Sequence, residues 1–179
     1  EIWWAIETAK KRKLLVVMPR RAGKDITLWN LAIRQCLQRV CLVFYCLQTY
    51  GQARKAIWDA IAIDGTKFLD YIPKELIERV NSSEMKIVFK NGSILQCIGA
   101  DSYNTALVGT NPYAIIFSEY SRYADGSKAY EFARPILAAN GGWFVAASTP
   151  KKKNHFYQLF KVAQELPDWH VIYKKTSEI

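Results

Sequence analysis

Residues 14–25, LLVVMPRRAGKD, restrict the fold of this chain more than any other stretch. Leu14–Met18 is apolar at every position, with no alternation, as in a strand covered on both faces. From Lys24 to Gln35 the apolar residues Ile26, Leu28, Leu31 and Ile33 fall at mostly helical spacing. A buried strand, a short basic turn and a helix are the beginning of a layered α/β unit.

The turn itself is close to G-x-x-x-x-G-K-[ST], in which backbone N–H groups wrap phosphates and the lysine reaches the β/γ oxygens. Gly23 and Lys24 are in place. Met18 stands at the leading glycine position, and Asp25 stands where a magnesium-binding hydroxyl belongs. Pro19, Arg20, Arg21, Ala22, Gly23, Lys24 and Asp25 are therefore the candidate nucleotide-binding residues. The bland alternative is a basic turn preceding a helix.

Further elements follow in an α/β rhythm. Strands are expected at Cys41–Leu47, Ile115–Phe117, Trp143–Ala147 and Trp169–Tyr173. Helices are expected at Tyr50–Ile61, Ala129–Ala139 and Phe156–Gln164. Lys86–Phe89 and Ser93–Ile98 flank Asn91-Gly92, a two-residue hairpin signal. The expected architecture is the three-layer fold of the P-loop NTPases, with a mainly parallel central sheet and an inserted antiparallel hairpin. Residues 1–179 are read as one domain.

Charge points toward polyanions: 25 Lys and Arg stand against 16 Asp and Glu, a net +9. Clusters at Lys10–Lys13, Arg20-Arg21 and Lys151–Lys153 strengthen that reading. Cys36, Cys41 and Cys46 lie in apolar stretches without C-x-x-C pairs, as buried thiols do. No apolar run approaches the ~20 residues of a membrane span, and no signal peptide is visible. Neither a membrane protein nor a secreted one is expected.

Nucleotide hydrolysis also needs acidic residues at a strand end, one ordering Mg²⁺ and one activating water. YAIIFSEY, residues 113–120, leaves a buried strand at Ser118-Glu119. Strand 143–147 ends in Ser148-Thr149-Pro150, hydroxyls able to sense a γ-phosphate from a neighbouring strand.

In this order and spacing the set resembles one family: the ATPase domain of the large terminase subunit, the motor of tailed bacteriophage DNA packaging. PRRAGKD is similar to its arginine-bearing phosphate loop. FYCLQTYGQARKAIW, residues 44–58, is similar to its segment after the second strand. IIFSEY resembles its second acidic motif, and STPKKKNHFYQLF its coupling motif.

The resemblance implies ATP and Mg²⁺ as cofactors and ATP-driven translocation of double-stranded DNA into a procapsid. Lys24 would grip the phosphates and Glu119 would activate water. Arg20 or Arg21 would stabilise the γ-phosphoryl in the transition state, and Ser148 and Thr149 would couple hydrolysis to movement. Lys151, Lys152 and Lys153 are the candidate DNA contacts. The implied partners are double-stranded DNA, a portal protein, a small terminase subunit and further copies in a ring, on a procapsid in the host cytoplasm.

Three features depart from the family pattern. Leu107-Val108-Gly109 replaces an L-R-G element, so an arginine reaching a neighbouring subunit from there is missing. Should neither loop arginine be the finger, Arg122 and Arg134, acting across subunits, are the candidates left. The adenine-contacting glutamine would lie upstream of Glu1. The 179 residues leave no room for the nuclease domain, so no DNA cleavage is expected from this chain. A helicase-like or other DNA-dependent P-loop ATPase, and a degenerate nucleotide- or DNA-binding module that no longer hydrolyses, are the competing readings.

Asp25 and Ser118 together suggest an exchange. A hydroxyl after the lysine and a carboxylate on the acidic strand have traded places, keeping one of each near Mg²⁺.

Overall fold

Alternate residues of one strand feed two different cores, and this sets the layering. In strand β1 (Lys13–Val17), Leu14 and Val16 belong to one apolar cluster while Leu15 and Val17 belong to the other. β2 (Leu42–Leu47) divides likewise, with Val43, Tyr45 and Leu47 opposite Phe44 and Cys46. Burial on both faces explains why these strands read as unbroken apolar runs. The computed structural model describes residues 1–178, with the side chains of residues 102–104 outside the description.

The remaining strands are β3 (Ile77–Asn81), β4 (Lys86–Phe89), β5 (Ile94–Gly99), β6 (Ala114–Ser118), β7 (Trp143–Ser148) and β8 (Trp169–Tyr173). They form one sheet in the order β3-β4-β5-β2-β6-β7-β1-β8. Pairing is parallel from β5 through to β8, and antiparallel between β3, β4 and β5. Helix α1 (Lys24–Gln38) covers one face through Leu28, Trp29, Leu31 and Ala32. The very short α2 (Tyr50–Ala53) is on the same side, and α3 (Tyr103–Ala106) follows β5. Helices α4 (Gly126–Asn140) and α5 (His155–Glu165) cover the other face through Ala129, Ala133, Leu137, Phe156 and Ala163. This is the expected three-layer α/β architecture. Each Leu, Ile or Phe fully buried in these layers contributes roughly 1.5–3 kcal/mol.

Two local expectations need correction, and one strand had none. The helix expected over Tyr50–Ile61 is one α-turn continued by a π-helical turn at Arg54–Trp58. The Asp59 N–H bonds to the Arg54 carbonyl, widening the turn so that Ile57 and Trp58 are both buried. The Asn91-Gly92 hairpin has a three-residue loop instead of two. Phe89 pairs with Ser93, the Gly92 N–H closes on the Phe89 carbonyl, and Gly92 takes φ +89°. That is a turn followed by a left-handed residue, a conformation glycine supplies without Cβ strain. Finally, β3 extends the hairpin into a third antiparallel strand at the sheet edge. Its mostly exposed residues give no apolar run to reveal it.

Candidate functional site

β7 lies between β1 and β6, and the register of the three strands fixes the site. Val17 is level with Ser148, and Ala147 is level with Ser118. The loop after β1, the hydroxyls after β7 and the acidic end of β6 therefore leave the sheet at one edge. Ligands of open α/β sheets sit at that carboxyl edge.

The loop between β1 and α1 turns on two left-handed residues, Arg21 at φ +64° and Gly23 at φ +72°. A Cβ on Gly23 would meet nothing within 4 Å, so backbone conformation and not space selects glycine there. Lys24 and Asp25 then fall in the first turn of α1, where the helix dipole favours negative charge, from a carboxylate or a phosphate.

A cleft of about 490 Å³ opens over this turn. Arg20, Arg21, Lys24, Asp25 and Glu119 line it, whereas Pro19, Ala22 and Gly23 of the same loop do not. Lys24 is 5% exposed, and its Nζ meets Glu119 Oε1 at 2.8 Å and Asp25 Oδ2 at 3.9 Å. Glu119 sits at φ +53°, a left-handed kink that ends β6 and turns the carboxylate back over the loop. Arg122 Nε donates to the second oxygen, Glu119 Oε2, at 3.3 Å.

Asp25 and Ser118, predicted as a pair, are in contact. Residues 114, 116 and 118 of β6 share the α1 face, and the Ser118 hydroxyl donates to Asp25 Oδ1. Ser118 is fully buried, so it stands behind Asp25 while Asp25 faces the cleft. The Tyr45 hydroxyl, from β2, also donates to Oδ1, at 2.9 Å. Burial first, and the neighbouring Asp25 charge second, push the Tyr45 phenol well above its ordinary range, so it remains a donor.

Ser148 and Thr149 do not line the cleft. The Ser148 hydroxyl donates to Ser121 Oγ at 2.7 Å and accepts from the Ser121 N–H at 3.1 Å. Asn154 Nδ2 donates to the Ser121 carbonyl at 2.7 Å while its Oδ1 caps α5. The turn after Glu119 is thereby tied to residues 148–154. Thr149 Oγ1 is buried without a hydrogen-bond partner among the described residues. Lys151, Lys152 and Lys153 are exposed and lie outside the cleft.

Sequence reasoning did not single out Gln52 and Lys55, which line the cleft from the π-helical segment and the turn before it. It also missed Tyr45. A tyrosine in an otherwise apolar strand was the available signal, since a buried phenol needs a partner. Arg122, weighed as an arginine acting across subunits, lies against Glu119 of its own chain.

The residues fit a nucleoside triphosphate with a divalent cation. Arg20, Arg21, Lys24, Lys55 and Arg122 set five cationic side chains against the two carboxylates, Asp25 and Glu119. Among the described residues no group of three or more His, Cys, Asp and Glu converges as a metal cage. A cation here would be shared with phosphate oxygens, the usual situation of Mg²⁺. The four cysteines are free.

The family model "Terminase large subunit, T4likevirus-type, N-terminal" matches residues 15–175. The fold is similar to the large terminase ATPase domain of Thermus phage, with a TM-score of 0.72 at 19% identity over 97% of this chain and 79% of that one. It is similar to the large terminase of a thermophilic bacteriophage solved with ATP-gamma-S, with a TM-score of 0.69 at 13% identity, spanning 98% of this chain and 43% of that one. The N-terminal domain of the DNA packaging ATPase from bacteriophage phi29 gives 0.69 at 11% identity, over 97% and 95% of the two chains. No curated protein matches in sequence.

Proposed function

The chain belongs to the terminase large-subunit N-terminal family of the T4-like-virus type, and from that premise we propose that it hydrolyses ATP with Mg²⁺ to drive double-stranded DNA into a viral procapsid. One observation carries the reading: Lys24, Asp25 and Glu119 converge on a single cationic cleft, from the loop after β1 and the end of β6.

Each residue has a role its chemistry allows. Lys24 and the first-turn N–H groups of α1 hold the β/γ phosphates. Asp25, backed by Ser118, would hold the cation, which when bound would offset phosphate charge. Glu119 accepts the proton of the attacking water once Lys24 is drawn onto phosphate, while Arg122 keeps the other carboxylate oxygen in place. Arg20 or Arg21 meets charge developing on the γ-phosphoryl.

Glu119 and the coupling residues are joined through Ser121, whose bonds to Ser148, the Thr149 carbonyl and Asn154 offer a route by which a change at the carboxylate would reach the start of α5. The exposed Lys151–Lys153 run directly precedes α5, where phosphate-backbone contacts would feel that movement. Among the described residues no helix is long and apolar enough to cross a membrane. A portal protein, a small terminase subunit and a ring of copies at the procapsid complete the proposal.

Phosphate release from ATP, measured with and without double-stranded DNA, tests it. Mg²⁺-dependent turnover that DNA stimulates supports the motor. Binding of ATP without turnover would instead favour a degenerate nucleotide-binding module, and strand displacement a helicase.

A further inference from the structure

Tyr45 is fully buried in β2, where its companions on the α1 side are Val43 and Leu47. Its ring packs edge-on against Trp29 at 5.6 Å, a contact phenylalanine would make equally well. The hydroxyl is what needs a reason. It donates to Asp25 Oδ1 at 2.9 Å, and the Ser118 hydroxyl donates to the same oxygen.

Two neutral donors from adjacent strands, β2 and β6, thus converge on one carboxylate oxygen. A carboxylate oxygen offers about two acceptor sites, so Oδ1 is filled. Oδ2 takes neither hydroxyl and lies 3.9 Å from Lys24 Nζ, at the cleft. A carboxylate tied by one oxygen cannot swing, and the other oxygen is held in a fixed direction.

We propose that Tyr45 is a positioning residue of this site: together with Ser118 it anchors Asp25 by Oδ1 and presents Oδ2 alone to a divalent cation carried by nucleotide phosphates. The inference rests on the cleft being a nucleotide site and goes beyond it by assigning a residue that touches neither nucleotide nor cation. Partners behind a metal-binding carboxylate fix its orientation, and their loss typically weakens metal binding about 10- to 100-fold.

The test is a Mg²⁺ titration of binding of a fluorescent methylanthraniloyl-ATP, which reads metal use without turnover. Tyr45→Phe should raise the half-saturating Mg²⁺ by about tenfold. Ser118→Ala, removing the companion donor, should shift it in the same direction. In an Asp25→Ala background, Tyr45→Phe should add nothing. An unchanged Mg²⁺ midpoint in Tyr45→Phe, or the same shift with Asp25 absent, would leave Tyr45 a packing residue and overturn the inference alone. If the parent bound the analogue with no Mg²⁺ dependence, the metal reading of the cleft would fall, and the inference with it.

Discussion

Lys24 Nζ and Glu119 Oε1 are 2.8 Å apart, joining the loop after β1 to the end of β6 across the intervening β7. The lysine proposed to bind phosphate is thus in direct contact with the carboxylate proposed to activate water. Lys24→Ala should weaken ATP binding at least about tenfold, the usual worth of a charge-assisted hydrogen bond. Equilibrium binding of a fluorescent ATP analogue measures this. Unaltered affinity would remove Lys24 from the phosphate site.

The Asp25–Ser118 contact makes the exchange of carboxylate and hydroxyl testable as a pair. Asp25→Ser removes the cation-facing carboxylate, and Ser118→Asp crowds two carboxylates together. Each alone should impair Mg²⁺-dependent hydrolysis, and the double variant should recover much of it. Residues in contact show such non-additivity. Two defects that simply add would mean that the two residues act independently and not as one unit.

Arg20 and Arg21 both line the cleft but differ in backbone. Arg21 holds φ +64°, at a cost of about 1 kcal/mol for a residue bearing Cβ. A strained position kept by an arginine suits a residue whose side chain is needed there. Arg21→Gly should raise the thermal midpoint and abolish turnover, with Arg20→Ala mainly affecting binding or DNA coupling. Melting curves and phosphate release on both variants decide. Two equally mild kinetic phenotypes would leave Arg122, already against Glu119 within the cleft, or Arg134 acting across subunits, as the candidates.

Lys151, Lys152 and Lys153 are exposed and take part in no ion pair among the described residues. Sequence-independent DNA binding should weaken steeply with salt. Replacing all three by Ala should flatten the plot of log affinity against log salt by roughly 0.9 for each DNA phosphate the lysines neutralise. A slope identical to the parent's would move the DNA surface elsewhere.

The strand–turn–helix at the cleft and the acidic strand end were legible because each is a local pattern: an apolar strand running into Gly23-Lys24, and another ending at Ser118-Glu119. The same holds for β8, whose expected bounds agree with the structure. What escaped depends on residues far apart in sequence. Strand order along a parallel sheet is set by crossovers, so the placement of β7 between β1 and β6 was hinted at only by its terminal hydroxyls. Tyr45 and Ser118 meet at Asp25 because the neighbouring parallel strands β2 and β6 point alternate residues at the same helix. Arg122 reaches Glu119 through a left-handed turn that a non-glycine sequence does not announce.

The central claim is that Glu119 activates water in an ATP-hydrolysing cleft, and Glu119→Gln tests it most directly. The amide keeps the shape and a hydrogen-bonding oxygen, but it cannot take up a proton. ATP hydrolysis should slow by at least ~10²-fold, as losing general-base assistance typically does, while ATP binding stays near the parent's. Single-turnover phosphate release together with equilibrium binding separates the two effects. A variant that retains more than half the parent rate would contradict the account and leave Glu119 as the residue where β6 turns, paired with Lys24 for structural reasons.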